Sequence, residues 1–225
     1  MNENYKWKGT SFNSKGIIIE ETPIIPKPTH SYEKYTIPGG NGYLAIDNKT
    51  FMPITFSLKC HLNIENVNIN EIRLWLDGYG ALQIDSEKEY IGYISNSITF
   101  EKITRFRKFI IQFMLQPLAK AVTPTTIDAL SITSFVSNTF TNTNPKITIT
   151  GTGTLTFNLN SIPFTIYDAD GTYVIDCDAK IITKNGINQS MNMSGDFPYV
   201  KNGTNNISKN GEISAITIEY SNLYL

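Results

Sequence analysis

The chain has 225 residues, 40 % hydrophobic and 12 % aromatic, enough apolar material for one large domain or two small ones and too much for a disordered chain. Charged residues make up 17 %, and 19 basic against 20 acidic side chains leave a net charge of −1, so bulk charge points to neither a nucleic-acid nor an anionic-membrane partner. Asn, Thr and Ser fill the polar deficit, while the two cysteines, Cys60 and Cys177, lie far apart, match no metal or redox spacing and exclude a disulfide framework.

In chain order, Met1 to Trp7 lacks the apolar run of a secretory signal, and no segment reaches the ~18 consecutive apolar residues of a membrane span. The N-x-S/T triplets, such as Asn48-Lys49-Thr50, are then by-products of Asn and Thr richness. Prolines between Pro23 and Pro28 demand an extended connector or a sheet edge. Asn70 is placed to cap a helix with Glu71 in its first turn, an apolar face of Ile72, Trp75 and Leu76, and Gly78 to end it. Phe109, Ile111, Phe113 and Leu115 alternate with Ile110, Gln112 and Met114 in a strand closed by Pro117.

From Pro117 to about Ser131 periodicity lapses, and every Arg, His and Trp lies before this stretch, so the chain is read as two domains, 1–130 and 131–225. Thr139 to Pro145 is a turn cluster, and Ile147 and Ile149 alternate with threonines in the next strand. Gly151-Thr152-Gly153 is read as a turn into Leu155, Phe157 and Leu159, and Asp170-Gly171 as a hairpin turn before Tyr173, Ile175 and Cys177. Ile213 to Tyr220 is a last β-branched run. Strand signals every ~8–12 residues indicate a mainly β chain of sandwiches or barrels.

Catalytic chemistry finds little to work with. The second half has no His, Arg or Trp and cannot host a Ser-His-Asp or Cys-His site alone. Cys60 and His61 are adjacent, and neighbours on a strand face opposite sides, which reads as a core thiol beside a surface imidazole. Asp168, Asp170, Asp176 and Asp178 lack the third ligand and distal Glu of a calcium loop and are read as part of a hairpin. No phosphate loop or dinucleotide fingerprint is present, so no cofactor, metal or catalytic residue is assigned and the chain is not read as an enzyme. Lys102, Arg105, Arg107 and Lys108, interleaved with Phe106 and Phe109, form the one basic cluster, either a groove for nucleic acid or a solvated strand face.

The order of motifs resembles the distal tail protein family of long-tailed bacteriophages, nearly end to end. Lys8-Gly9-Thr10-Ser11 with Lys15-Gly16-Ile17 is similar to the family's opening strand. Tyr35-Thr36-Ile37-Pro38-Gly39-Gly40-Asn41-Gly42-Tyr43-Leu44 resembles its V-P-G-R-x-G-x-L loop, with Gly40 where the family usually has Arg. Ile72-Arg73-Leu74-Trp75-Leu76 through Leu82 is similar to its helix and turn, and Tyr90 to Tyr93 and Phe113 to Pro117 to its next strands. Pro145 to Gly153, Tyr173 to Asp178, and Met191 to Ile207 match its second-half motifs in order.

The resemblance implies a structural virion protein of the tail tip, assembled in the host cytoplasm. Its fold would be two β-sandwich domains, the first with one short helix and the second galectin-like. The first domain would form a hexameric ring at the distal end of the tail. That ring would join the tail tube to the baseplate or tip fibre and leave a channel for the tape-measure protein and DNA. Implied partners are further copies of itself, the tail tube and tape-measure proteins, a hub or fibre protein, and a receptor-binding protein or host-surface glycan on the outer domain. Tight nucleic-acid binding and membrane insertion are not implied. Pro38, Gly39 and Gly42 are the candidate ring contact, and Lys102, Arg105, Arg107 and Lys108 a channel-side or solvated basic cluster. The alternative reading is a stand-alone carbohydrate-binding module.

Overall fold

A computed structural model describes residues 5–21, 24–63, 67–103 and 106–225. The chain is mainly β and divides into two compact units, Met1–Val122 with Leu225 and Thr123–Tyr224, each with its own apolar core. The changeover at Val122 falls inside the aperiodic connector and ahead of the 130/131 limit. The reason is a short strand, Thr125–Asp128, which already pairs with Thr217 to Tyr220 of the second unit and packs Ile127 on its core.

In the first unit an antiparallel sheet runs in the order Thr10–Ser11, Lys6–Trp7, Tyr79–Gln83, Lys88–Ile94, Phe106–Leu115, Ile54–Asn63, Ile17–Ile19. Period-two alternation decides its faces. Phe109, Ile111, Phe113 and Leu115 point inward with Ile54, Phe56, Leu58, Cys60 and Leu62 of the neighbouring strand, and all are buried. Trp7 fills the centre, edge-on to Phe113, and donates its indole N–H to the Trp75 carbonyl at 3.2 Å. That carbonyl belongs to the helix Ile69–Leu76, which buries Ile72 and Leu76. The expected cap is two residues out: Asn68, not Asn70, is the N-cap, its side-chain oxygen accepting from the Asn70 N–H at 3.0 Å. Gly78, left-handed at φ 81°, follows the helix's last residues as expected. Among the described residues no helix is long and apolar enough to cross a membrane.

The second unit is built on three long antiparallel strands, Gly203–Tyr220, Lys146–Leu159 and Ile162–Asp176, in that order across the sheet. Two expected turns are absent. Gly151-Thr152-Gly153 lies inside Lys146–Leu159, and Asp170-Gly171 lies inside Ile162–Asp176, where Gly151 faces Gly171 and Thr152 faces Asp170. Register shifts next to Gly151 and Gly153 mark β-bulges at which the strands bend, so each long strand serves two parts of one curled sheet. A Cβ on Gly151 would stand 2.4 Å from the Glu212 carbonyl oxygen, and one on Gly211 2.4 Å from that of Thr154. The hairpin turn is instead Asn160-Ser161, both left-handed at φ 56° and 65°, as a two-residue type I′ connection requires. Between the bent parts lie Ile147, Ile149, Leu155, Phe157, Phe164, Ile166, Tyr173 and Ile175, all buried.

Candidate functional site

One element of the first unit has no core of its own. Strands His30–Thr36 and Tyr43–Phe51 form a separate two-stranded sheet, an arm whose residues are nearly all exposed. The turn at its tip follows from composition. Gly40 N–H donates to the Ile37 carbonyl at 3.1 Å, spanning Pro38 at the position that favours φ near −65° and Gly39 at φ 75°, a type II turn. Gly42 is also left-handed, at φ 96°, and a Cβ on Gly39 or Gly42 would meet no atom within 4 Å. Pro38, Gly39 and Gly42 therefore stand together at an exposed tip.

The register sorts the arm into two faces. Tyr35 pairs with Leu44 and Glu33 with Ile46, so Glu33, Tyr35, Leu44 and Ile46 share one face, continued by Ile37. Tyr32, Lys34 and Thr36 share the other with Asp47, Ala45 and Tyr43. The first face is apolar but for Glu33, whose carboxylate accepts from the Tyr35 hydroxyl at 2.6 Å and raises the pKa of that phenol. On the second face the Lys34 ammonium sits 5.0 Å from the Tyr43 ring. At the base His30 approaches Asp47 at 3.4 Å and lies against Phe51.

The basic cluster is split. Arg105 lies outside the described residues, as does the side chain of Lys102, whose backbone pairs with Arg107. Arg107 faces inward in register with buried Leu62, whereas Lys108 faces outward and pairs with Glu20 at 3.3 Å. Glu20 also meets His61 at 3.3 Å, and neighbouring Lys59 holds Glu21 at 3.0 Å. Cys60 and His61 do point to opposite faces. Burial, with Glu20 nearby, pushes the Cys60 thiol up to about 12, so it is no nucleophile at neutral pH.

In the second unit Asp170 is engaged by the Lys184 ammonium and by the Tyr173 hydroxyl, which hold its carboxyl below the ordinary range. Asp176 accepts from the N–H groups of Asp178 and Ala179 and so shapes the turn that follows. Among the described residues no group of three or more His, Cys, Asp or Glu is placed to hold a metal ion. Sequence reasoning placed the tip but missed the arm. The usable signal was two strand-like runs, Tyr32 to Thr36 and Tyr43 to Ile46, flanking Pro38-Gly39-Gly40-Asn41-Gly42.

No protein-family model matches the chain, and no curated protein matches it significantly. Solved structures do. The SPP1 Dit (gp 19.1) protein, described as a paradigm of the hub adsorption apparatus in phages infecting Gram-positive bacteria, superposes with a TM-score of 0.78 at 14 % identity, over 99 % of both chains. A chain of the phage p2 baseplate, in its activated conformation with strontium, superposes with a TM-score of 0.54 at 8 % identity over 97 % of both. The chain thus carries, through both of its units, the fold of a phage hub and baseplate protein.

Proposed function

We propose that the chain is a structural subunit of a phage tail tip, located in the virion, and that copies of its first unit close into a hexameric ring around a channel through which the tape-measure protein and then DNA pass. The observation that carries this reading is the full-length match to a hub protein, since partial matches to β-sandwiches arise from fold alone while a shared two-unit order does not. The exposed arm supports it. An isolated two-stranded hairpin is marginal in water and gains its stability from a covering surface. Pro38, Gly39 and Gly42 at its tip are the proposed ring contact, where glycine permits a close approach of another backbone.

In this reading the first unit meets the tail tube and tape-measure proteins, and the second offers a docking face for a hub, fibre or receptor-binding protein. Lys108 and Arg107 belong to the subunit's own packing and ion pairs, in keeping with a channel that releases DNA and does not hold it. No catalytic role is assigned. Negative-stain imaging of the purified full-length protein tests the reading: rings with a stain-filled centre are expected, and uniformly small single particles would count against it.

A further inference from the structure

We propose that Asn210 is a spontaneous modification site of the folded chain: its side chain cyclises onto the Gly211 backbone nitrogen and then opens in water to aspartate and isoaspartate. The second unit repeats one tripeptide three times, at Lys184-Asn185-Gly186, Lys201-Asn202-Gly203 and Lys209-Asn210-Gly211. Asparagine is a chemically labile residue, and a following glycine, without a Cβ, leaves the attacking nitrogen unhindered. With the same residue before and after each asparagine, a large difference in rate among the three must come from the fold.

The fold treats the three differently. At Asn210 the Gly211 N–H donates to the residue's own Oδ1 at 3.0 Å, so the nitrogen already stands beside the Cγ that it attacks. Among the described residues neither Asn185 nor Asn202 makes this contact with its glycine. Asn185 and Gly186, at φ 50° and 77°, are locked as a two-residue hairpin turn between the paired residues Lys184 and Ile187. Gly203 is held in register with Ser137, and its carbonyl accepts from the Asn205 amide. Gly211 has no such place: the register passes from Asn210 facing Thr156 to Glu212 facing Thr152 and skips it. The contact is also anchored on both sides. The Lys209 ammonium donates to the carbonyls of Ala129 and Ile132 at 2.8 and 3.4 Å, and Gly211 lies so close to Thr154 that a Cβ would stand 2.4 Å from its carbonyl oxygen. Asn210 and Gly211 are both exposed, so solvent reaches them.

The chemistry consumes only water, with hydroxide as the base. Hydroxide takes the Gly211 N–H proton, the nitrogen bonds to Asn210 Cγ, and the Cγ–Nδ2 bond breaks, its nitrogen leaving as ammonia with a proton from water. Water then splits the five-membered imide at either carbonyl. Cleavage of the new N–Cγ bond leaves aspartate; cleavage of the original peptide bond leaves isoaspartate, whose main chain runs through Cβ and gains a methylene. Nothing is oxidised or reduced. Either product is ionised at neutral pH and adds a carboxylate beside exposed Glu212, at the bulge where the long strand bends. Isoaspartate further lengthens a strand that is already out of step with its neighbour there.

The test follows the full-length protein in mildly alkaline buffer, folded or in urea, with samples digested after lysine and read by mass spectrometry that separates isoaspartate from aspartate. In the folded protein the acid forms at position 210 are expected to outpace those at 185 and 202 by about tenfold or more. In urea the three sites should convert at similar rates. Equal rates at the three sites of the folded protein, or an Asn210 that stays an amide while the urea sample converts, would overturn the proposal. So would a lead for position 210 that is as large in urea, since sequence and not the fold would then set it. Asn210→Gln keeps the position uncharged but places the amide carbon one methylene further from the nitrogen; circular dichroism checks its fold. It should show no acid form at 210, and conversion there as fast as in the wild type would also count against the mechanism. None of these outcomes bears on the ring reading, which imaging tests separately.

Discussion

Asn205 shows how a polar residue can act as a core residue. It is fully buried, and its amide is saturated: the oxygen accepts from the Lys201 N–H and from Asn160, and the nitrogen donates to the carbonyls of Lys201 and Gly203. Through Asn160, which also donates to the Tyr199 carbonyl, it ties the loop at 199–203 to the Asn160-Ser161 hairpin. Asn205→Leu leaves these groups buried without partners, at ~1–3 kcal/mol for each unsatisfied group, and should lower the urea midpoint of unfolding well beyond an exposed Asn→Leu control. Composition alone files Asn with turns and surfaces, so this role was hidden in the sequence. The cysteines were legible, because each alternates with apolar neighbours. Burial pushes both thiols from an ordinary 9.0 up to about 12. A raised folded-state value favours the protonated fold, so this stabilisation is complete below about pH 9 and is lost as pH rises towards 12. A thiol-reactive dye at pH 8 should label neither cysteine in the native protein and both in denaturant; rapid native labelling of Cys60 would contradict its placement.

At the scale of elements, period-two alternation was legible wherever one strand face is buried, as from Phe109 to Leu115 and from Tyr173 to Cys177. It could not distinguish a glycine that ends a strand from one that bends it. Gly151 and Gly171 face each other across two continuous strands, and the chain reverses at Asn160-Ser161, where no glycine stands. Gly151→Ala and Gly153→Ala separate the two uses of glycine. The first drives a Cβ to 2.4 Å from a carbonyl oxygen and to 3.0 Å from Leu155 carbons, an overpacking cost of ~1–3 kcal/mol or more. The second meets no neighbour and costs about 1 kcal/mol for its left-handed φ of 74°. Thermal unfolding should rank Gly151→Ala clearly below Gly153→Ala. The helix was read from its apolar spacing, but its cap was misplaced, because Asn68 and Asn70 offer the same chemistry and only backbone geometry chooses between them. Asn68→Ala should cost ~1 kcal/mol, and Asn70→Ala much less by the same measurement.

For the whole molecule, the likeness to a phage tail-tip protein was legible in the sequence, and a superposition over 99 % of the chain at 14 % identity agrees with it. The arm was less legible, since its side chains alternate without burying anything within this chain and their pattern gains meaning only against a covering surface. Under the proposed function that surface comes from neighbouring subunits of the ring. The most direct measurement is the mass of the full-length protein by light scattering behind a sizing column, at several loading concentrations. The account predicts a species of six times the chain mass that persists on dilution, and a mass equal to one chain at every concentration would contradict it.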